Sequence, residues 1–458
     1  MFRLFNLYFT TRKLFLLLGE IAIITASFLL AAVLRLGDNS KSILLEQHGL
    51  SKIFVITVVS IVCSHYLDLY DLRRVGRHVA LYFRFCILVC VVAVFLAVTS
   101  YAFPAFVVGP YVYPTGLCIL LLAWICWRWV YNRLLALPIL RQRVYLLGSG
   151  ERARRLIKIL RARKELGTEI VGWAGETGTS YLTRDSLSKI LQELGRKQSI
   201  DRVIVALADR RATMPLEDLL TLKLSGIKIQ DGTGLLEEIS GQVEVDELRP
   251  AWLVFSEGFR LSSAYRVVRR VISVLCSVVL LLLTLPLIPI IIVVIKLTSP
   301  GPVLYCQERT GLRGSNFFCY KFRTMRPDAE ADTGPTWASD DDPRITGFGR
   351  ILRRTRLDEI PQLWSVLRGD MAFIGPRPER PEFVEKLNKE IPYYGLRHII
   401  RPGLTGWAQI NFGYCSSVEE AKEKLRYDLY YIKNGSLALD FIILFETAKT
   451  VVFGRGAR

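Results

Sequence analysis

One long apolar stretch limits most strongly what this chain can fold into. Leu14 to Leu34 form a run of 21 residues in which Glu20 is the single ionisable side chain. About 20 residues in a helix are enough to cross the hydrocarbon core of a bilayer. The run follows Arg12 and Lys13 but is longer than the apolar part of a removable signal peptide. The pattern therefore predicts a membrane-spanning helix that is retained in the protein.

Three further apolar runs, at 53–67, 85–107 and 111–127, predict a four-helix membrane bundle in residues 1–137. Glu20 fits either a functional carboxylate or a helix-pairing contact, and the sequence leaves both open. Lys and Arg resist translocation, so basic loops mark the cytoplasmic side. Both ends of the bundle are expected there, because the loop between the second and third runs is basic, with Arg73, Arg74, Arg77 and Arg84.

A fifth apolar run, 271–295, contains Pro286 and Pro289. Each proline removes a backbone donor and clashes with the preceding turn, which predicts a break. Basic residues lie on both sides of the run, so neither flank is favoured for export. Two interpretations stay open at this point: a re-entrant helix–break–helix that bends at Pro286, or a kinked span that would place the C-terminal region outside.

The composition narrows the class of protein further. The chain is 51% hydrophobic, and 60 Lys and Arg against 42 Asp and Glu give a net charge of +18. This composition excludes a disordered chain, and its hydrophobic fraction is too high for an ordinary soluble enzyme. The positive charge attracts polyanions such as nucleic acid, anionic lipid or a phosphorylated substrate. Nine cysteines without a Cys-x-x-Cys pair and four scattered histidines argue against a zinc enzyme.

Residues 138–258 show the alternation of strands and helices that is typical of a parallel sheet. A strand that begins near Arg143 ends in Gly148-x-Gly150-x-x-Ala153, and further strands are predicted at 169–173, 202–206 and 227–230. This pattern predicts a Rossmann-like α/β domain. The glycines could bring backbone amides to a pyrophosphate, but nothing nearby supplies a proton or hydride, which favours a scaffold or regulatory role.

From residue 300 the sequence becomes rich in Arg, Gly and Pro. Two strands, 303–309 and 316–323, predict a hairpin around a turn at 311–314. Strand alternation places Lys321 and Arg323 on one face. These two cations could hold phosphate oxygens, or they could belong to a solvated sheet face.

Asp358 and Glu359 are the candidate reactive pair. Thr355 precedes Asp358 by three residues, which resembles a helix-capping box, so the pair is expected near a helix N-terminus with pKa values lowered by the dipole and by neighbouring arginines. A carboxylate that attacks a diphosphate needs guanidinium groups or a divalent cation to offset the repulsion. Asp358 could be the nucleophile and Glu359 could hold the ion or handle a proton. The alternative is a solvated Arg–carboxylate network.

A proline-framed segment, Gly375-Pro-Arg377-Pro378, presents one arginine rigidly, as a bidentate grip on phosphate requires. With this segment, five motifs occur in order over about the last 160 residues, and together they resemble the bacterial sugar transferases, the polyisoprenyl-phosphate hexose-1-phosphate transferases. The other four motifs are Lys321–Met325, Asp342–Thr346, Leu352–Glu359 and Arg401–Trp407.

The resemblance implies a fold class: a membrane α-helical bundle, an α/β Rossmann-like domain and an α+β membrane-associated catalytic domain with a re-entrant helix. The expected domains are 1–137, 138–258, a re-entrant segment at 259–299, and the catalytic domain at 300–458. It also implies a reaction at the cytoplasmic face of the bacterial inner membrane. There a UDP-sugar gives its hexose 1-phosphate to undecaprenyl phosphate with Mg²⁺, and UMP is released, as the first membrane step of exopolysaccharide synthesis.

The resemblance also implies roles for individual residues. Asp358 matches the family's nucleophile, and Glu359 matches the second acid, with both in a metal role. A cytoplasmic nucleotide sugar favours the re-entrant interpretation of 271–295. Expected partners are the UDP-sugar, undecaprenyl phosphate and anionic membrane lipids, with no nucleic acid and a possible homodimer. The remaining carried-over positions are the phosphate-binding Arg353 and Arg377, the pocket residues Lys321 and Arg323, the helix break at Pro286, and Ser365, where many members have Asn.

Two other classes of protein stay open. A membrane-anchored nucleotide-sugar epimerase or dehydratase usually needs a Tyr-x-x-x-Lys pair, and no Lys in the sequence has Tyr four residues before it. A non-catalytic assembly scaffold would bind lipid and nucleotide without turnover. The acidic loop 328–342 is interpreted mostly as a solvated loop, and the apolar segment 437–452 is expected to lie along the membrane interface.

Overall fold

A computed structural model describes the chain apart from residues 1, 5–6, 10, 71–77, 138–140, 149, 164–165, 175–183, 198–199, 208–213, 249–257, 260–261, 327–341, 414–416 and 453–458. The basic loop at 71–77 and most of the acidic loop 328–342 thus lie outside the described residues. The chain divides into two compact units, which consist mainly of Tyr8–Leu235 and Leu236–Arg458.

The first unit contains long apolar helices where the sequence predicts them. Five helices in the described part of the whole chain are long and apolar enough to cross a membrane, four of them in this unit. This confirms the prediction of an N-terminal set of apolar helices and indicates a membrane protein. After the short strands β1 (Phe2–Leu4) and β2 (Leu7–Phe9), the helices are α1 (Thr11–Leu36), α2 (Ser40–Leu45), α3 (Gly49–Tyr66), α4 (His78–Ala102) and α5 (Val112–Ala136).

Glu20 in α1 forms a buried ion pair with Arg128 in α5. One carboxylate oxygen lies 2.6 Å from Arg128 Nη2, and the two side chains are 1% and 4% exposed. Trp124 Nε1 donates to the same oxygen over 3.2 Å, and Arg128 also donates to the carbonyl of Leu69. A charge inside an apolar bundle is tolerated when it is paired. The contact supports the helix-pairing interpretation of Glu20.

The same unit contains a four-stranded sheet in which every neighbouring pair is parallel, with strand order β4-β3-β5-β6. Apolar residues on β3 and β5 are fully buried against the helices that follow the strands. The predicted parallel sheet is therefore confirmed. Its elements are β3 (Gln142–Leu147), α6 (Glu151–Ala162), β4 (Thr168–Trp173), α7 (Arg184–Lys197), β5 (Arg202–Val205), α8 (Leu216–Leu224), β6 (Lys228–Asp231) and α9 (Gly232–Ser240).

Gly148 at the end of β3 has a packing role. A Cβ at this position would lie 2.5 Å from the carbonyl oxygen of Ala206, which follows β5. Glycine therefore lets the two strand ends approach closely. Gly150 has no such neighbour within 4 Å, and Ser149 lies outside the described residues.

The second unit contains an apolar segment in two helices, α10 (Ser263–Thr284) and α11 (Leu287–Thr298), separated at Leu285 and Pro286. The predicted break at Pro286 is thus present. The elements that follow are β7 (Leu304–Thr310), β8 (Asn316–Phe322), α12 (Gly347–Thr355), α13 (Gln362–Arg368), β9 (Ala372–Ile374), α14 (Pro381–Glu390), β10 (Gly403–Thr405), α15 (Trp407–Asn411), α16 (Val418–Asn434) and α17 (Leu437–Val452).

Strands β7 and β8 form the predicted antiparallel hairpin, in register from Leu304–Phe322 to Thr310–Asn316. Strands β9 and β10 form a parallel pair. Helix α17 buries Leu439 and Ile443 in a core that it shares with α14 and α16. Its Asp440 is also buried, and accepts hydrogen bonds from the hydroxyls of Tyr265 and Tyr431. The interfacial position expected for this segment stays a prediction.

Arg128→Met should destabilise the helical bundle, because it leaves Glu20 buried without its cation at a cost of about 3–5 kcal/mol. Heat- or SDS-induced unfolding in detergent micelles measures the loss. The double variant Glu20→Leu with Arg128→Met should recover most of the stability, since neither charge is then buried. Arg133→Met, at an exposed position of α5, is the control. Unchanged stability of Arg128→Met would contradict a stabilising ion pair.

Candidate active site

Asp358 and Glu359 lie in a short 3₁₀ turn, Leu357–Glu359, between α12 and α13. Arg356 ends α12 in the left-handed region with φ of 59°, and its backbone amide caps the helix by donating to the carbonyls of Arg353 and Leu352. A non-glycine residue in this region is uncommon and costs energy, so the surrounding structure must hold it there. The reversal at Arg356 turns the chain inward and buries both carboxylates.

The predicted capping box at Thr355 is wrong. Thr355 is the last residue of α12, and its hydroxyl donates to the carbonyl of Ile351 within that helix. The N-cap of α12 is Thr346, whose side chain accepts from the amide of Gly349. The left-handed residue Arg356 ends α12 before Asp358 is reached. Such a termination is not visible in the local spacing.

Glu359 is held by two cations from separate elements. Its Oε1 lies 2.6 Å from Arg377 Nη2 and 3.0 Å from Lys321 Nζ. Burial opposes ionisation of Glu359, but the charges of Arg377 and Lys321, with Arg356 beyond them, hold its pKa well below the usual range. Glu359 is therefore an anion at neutral pH. The structure thus joins three of the residues that the sequence singled out.

Asp358 has a different environment. It is 7% exposed, and its Oδ1 has no hydrogen-bond partner among the described residues. Burial, and next the charge of Glu359, raise its pKa to about 6, against the opposing charges of Lys321 and Arg353. The expectation that dipole and arginines lower this pKa is wrong, because desolvation of the carboxylate and the adjacent anion are the larger effects.

The other two predicted binding residues, Arg353 and Arg323, have different surroundings in the structure. Arg353 Nε donates to the hydroxyl of Thr324 over 3.0 Å, and its charge acts on Asp358. The guanidinium of Arg323 donates to the carbonyls of Ser299 and Pro300, each over 2.7 Å, whereas Lys321 Nζ binds Glu359. The two cations thus have different partners. A substrate role for Arg323 stays an untested prediction.

Gln362 was not singled out by the sequence, and it follows Glu359 by three residues. It is the first residue of α13 and is 4% exposed, and its Nε2 donor has no partner among the described residues. An unsatisfied buried amide costs about 1–3 kcal/mol. Together with the unpartnered Asp358 oxygen a few residues earlier, it indicates a region made for further polar contacts.

A divalent cation is compatible with the residues present. Mg²⁺ takes oxygen ligands, commonly one or two carboxylates with the rest from water and substrate phosphates. Asp358 and Glu359 supply two adjacent carboxylates, of which Asp358 Oδ1 is unpartnered within the described part of the chain. Those described residues contain no group of three or more His, Cys, Asp or Glu suited to a metal. Water or substrate phosphate oxygens would supply the other ligands.

The apolar helices α10 and α11 both contact elements that border this site. Arg270 of α10 donates to the carbonyls of Val366 and Leu367 at the end of α13, over 2.5 and 2.7 Å. Ile291 and Ile295 of α11 pack in one core with Ile360, which follows Glu359. Fold and site together define a membrane protein with a buried carboxylate pair among cations, next to two consecutive apolar helices.

Comparison with known proteins agrees with this class. The family model "Bacterial sugar transferase" matches residues 264–454. An undecaprenyl-phosphate glucose phosphotransferase of Komagataeibacter xylinus is 33% identical over 325 residues, 69% of this chain and 60% of the relative. A UDP-glucose:undecaprenyl-phosphate glucose-1-phosphate transferase of Klebsiella pneumoniae is 32% identical over 320 residues, 67% of each chain. The chain belongs to the bacterial sugar transferase family.

A third relative matches over a shorter segment. It is a UDP-N-acetylgalactosamine-undecaprenyl-phosphate N-acetylgalactosaminephosphotransferase of Aeromonas hydrophila, 43% identical over 223 residues, which are 48% of this chain and 52% of the relative. The chain thus spans about half the length of this relative and 60% of that from Komagataeibacter.

Asp358→Asn should stabilise the protein above pH 6. Folding raises the pKa of Asp358 from 3.8 to about 6, so the folded state binds the proton of this group more tightly than the unfolded state does. As pH rises and Asp358 ionises, the free energy of unfolding therefore falls, by about 2–3 kcal/mol in total. Unfolding temperatures in detergent at pH 8 and pH 5 measure the effect. The gain should be large at pH 8 and smaller at pH 5, with little change for Asp370→Asn in a partly exposed ion pair. A gain that is independent of pH would contradict the raised pKa.

Proposed function

We propose that this chain is a phosphoglycosyl transferase that moves a hexose 1-phosphate from a UDP-sugar to undecaprenyl phosphate and releases UMP. The reaction would proceed through a covalent aspartyl-phosphosugar intermediate on Asp358. The observation that carries the proposal is the buried, unpartnered Asp358 oxygen beside Glu359, which Arg377 and Lys321 hold as an anion. Relatives named as undecaprenyl-phosphate sugar phosphotransferases support it.

In the first half-reaction, Asp358 Oδ1 would attack the β-phosphorus of the UDP-sugar. A new P–O bond forms to the carboxylate, and the bond between the β-phosphorus and the bridging oxygen breaks, so UMP leaves with that electron pair. Attack by one anion on another is opposed by repulsion. Arg377, Lys321 and Arg353 would offset it by placing positive charge beside the transferring phosphoryl group.

In the second half-reaction, a phosphate oxygen of the lipid would attack the same phosphorus. The bond to Asp358 breaks, the carboxylate is regenerated, and the product is an undecaprenyl diphosphate sugar. An aspartate with a pKa near 6 suits both steps, because it is mostly ionised at neutral pH yet is a better leaving group than an alkoxide. Burial also keeps water from the acyl phosphate.

Glu359 and Asp358 are the residues that would hold Mg²⁺. When bound, the cation supplies positive charge that offsets the charge of the diphosphate. Because Glu359 stays ionised beside its two cations, its position is fixed before substrate enters. This arrangement limits the reorganisation that binding would require.

A re-entrant hairpin is proposed for α10 and α11, with the second unit on the cytoplasmic face of the inner membrane. Its support is that both ends of the apolar segment contact the same folded unit. Near the start, Arg269 donates to the carbonyl of Ile374 and Ser273 accepts from the amide of Phe373. At the far end, Ser299 and Pro300 accept from Arg323. A straight span would separate these ends by about 30 Å of hydrocarbon.

For the middle region we propose a Rossmann-like domain that serves as a scaffold or regulatory element. The support is a parallel sheet with strand order β4-β3-β5-β6, in which β3, β4 and β5 are each followed by a helix. Strand packing explains Gly148, so this glycine needs no dinucleotide to account for it.

Asp358→Asn should abolish transfer, with UMP release from UDP-sugar and undecaprenyl phosphate reduced at least about 10³-fold, because a nucleophile is lost. Donor labelled in the β-phosphate should leave a covalent adduct on the wild-type chain that maps to Asp358. Asp370→Asn is the matched control and should retain both adduct and turnover. Normal turnover by Asp358→Asn would contradict a nucleophilic Asp358, whereas a wild-type protein that releases no UMP would leave the non-catalytic scaffold.

The proposed topology predicts a cytoplasmic C-terminus. Green fluorescent protein fused after Arg458 should fluoresce, and alkaline phosphatase fused there should be inactive, because the first folds in the cytoplasm and the second needs periplasmic disulfides. Fusions after the uncharged loop at Pro110 provide the opposite control. Active phosphatase at the C-terminus would show that 263–298 crosses the membrane.

A further inference from the structure

The loop that carries Arg377 is held along its whole backbone. Four successive carbonyls, those of residues 376–379, accept hydrogen bonds, and two of the donors are arginine side chains rather than backbone amides. In order, the donors are Gly403 N to Pro376 over 2.8 Å, Arg397 Nη2 to Arg377 over 2.9 Å, Arg309 Nη1 to Pro378 over 3.1 Å and Thr310 N to Glu379 over 2.9 Å.

Arg397 is the most deeply buried of these donors, at 2% exposed. Its Nη2 lies 2.8 Å from a carboxylate oxygen of Asp428 as well as bonding the Arg377 carbonyl. Its Nη1 donates to the hydroxyl of Tyr394 over 2.5 Å. A planar guanidinium can make several such bonds in a fixed geometry, whereas an ammonium cannot. Arg397 therefore links the Arg377 loop to helix α16, which carries Asp428.

Helix α16 holds the far end of the loop through a second ion pair. Lys424, one turn before Asp428, donates to Glu379 over 2.6 Å. The Glu379 carboxylate also lies 3.8 Å from Arg397 and 3.9 Å from Arg309. Buried charges of this kind are stable only when each is paired. The loop and α16 therefore behave as one rigid piece.

The rigid loop ends at the reactive pair, since Arg377 Nη2 lies 2.6 Å from Glu359 Oε1. Misplacement of a phosphate-binding group by about 1 Å can cost a hundredfold in rate. We propose that Arg397, fixed by Asp428, is a positioning residue that sets the guanidinium of Arg377 against Glu359 and the transferring phosphate. The inference rests on the proposed transfer activity and adds a determinant outside the five motifs.

A double-mutant cycle tests the coupling. Because Asp428 acts through Arg377, Asp428→Asn should lower kcat/KM at least about tenfold in the native background, with the larger share in kcat. In an Arg377→Ala background the same substitution should cost less than about twofold. Steady-state UMP release by the full-length protein in lipid nanodiscs, with donor and lipid each varied, gives both numbers.

Asp440→Asn is the matched control. Asp440 is an equally buried aspartate of the same unit, but its carboxylate accepts from Tyr265 and Tyr431. If Asp440→Asn lowers kcat/KM only by loosening the fold, the loss should be the same factor in the native background and in the Arg377→Ala background. Unfolding temperatures of all variants separate loss of fold from loss of position.

Arg397→Lys repeats the cycle if Asp428→Asn does not fold, because lysine keeps the charge but lacks the planar fork. Equal losses with and without Arg377, from either substitution, would overturn the positioning role. A wild-type protein that releases no UMP would instead overturn the proposed function before the cycle begins. The two failures are therefore distinguishable.

Discussion

Neighbouring carboxylates repel one another and lose hydration when they are buried, so Asp358 and Glu359 can lie side by side only because cations surround them. Arg377 and Lys321 hold Glu359 as an anion, while burial and that anion raise the pKa of Asp358 to about 6. The two acids thus become chemically different although they are adjacent in sequence. A nucleophile and a fixed neighbouring charge are the roles that this difference suits.

The rest of the second unit serves to keep this arrangement in place. Arg356 turns the chain so that the pair faces inward, and Arg270 of α10 binds the end of α13. Arg397 and Asp428 fix the loop of Arg377. Arg270 and Arg397 bind backbone carbonyls through their guanidinium groups, which constrains the main chain and not only a side chain. An apolar helix and the Arg377 loop are thereby held close to one short turn.

Much of the fold was predictable because it follows local pattern. The long apolar runs predicted the helices of the first unit, and two strand patterns around a turn predicted the β7–β8 hairpin. The strands of the middle region form the expected parallel sheet. The details of the site were less predictable. Thr355 ends a helix instead of starting one, because Arg356 after it is left-handed. Arg323 binds Pro300 and Ser299, which lie 23 and 24 residues earlier, and such a distant partner is not visible in the local pattern.

The sequence by itself determined that the chain has helices long and apolar enough for a membrane, that the fifth apolar run breaks at Pro286, and which acidic pair and arginines are candidates for its chemistry. It did so because hydrophobic length, proline and residue type act locally. Only the tertiary structure decided which cation meets which carboxylate and which acid keeps its proton longer. Those outcomes depend on desolvation and on charges brought together from separate elements, such as Lys321 from β8 and Arg377 from the loop after β9. Neither the desolvation of a carboxylate nor its distance from a charge on another element can be obtained from spacing along the chain.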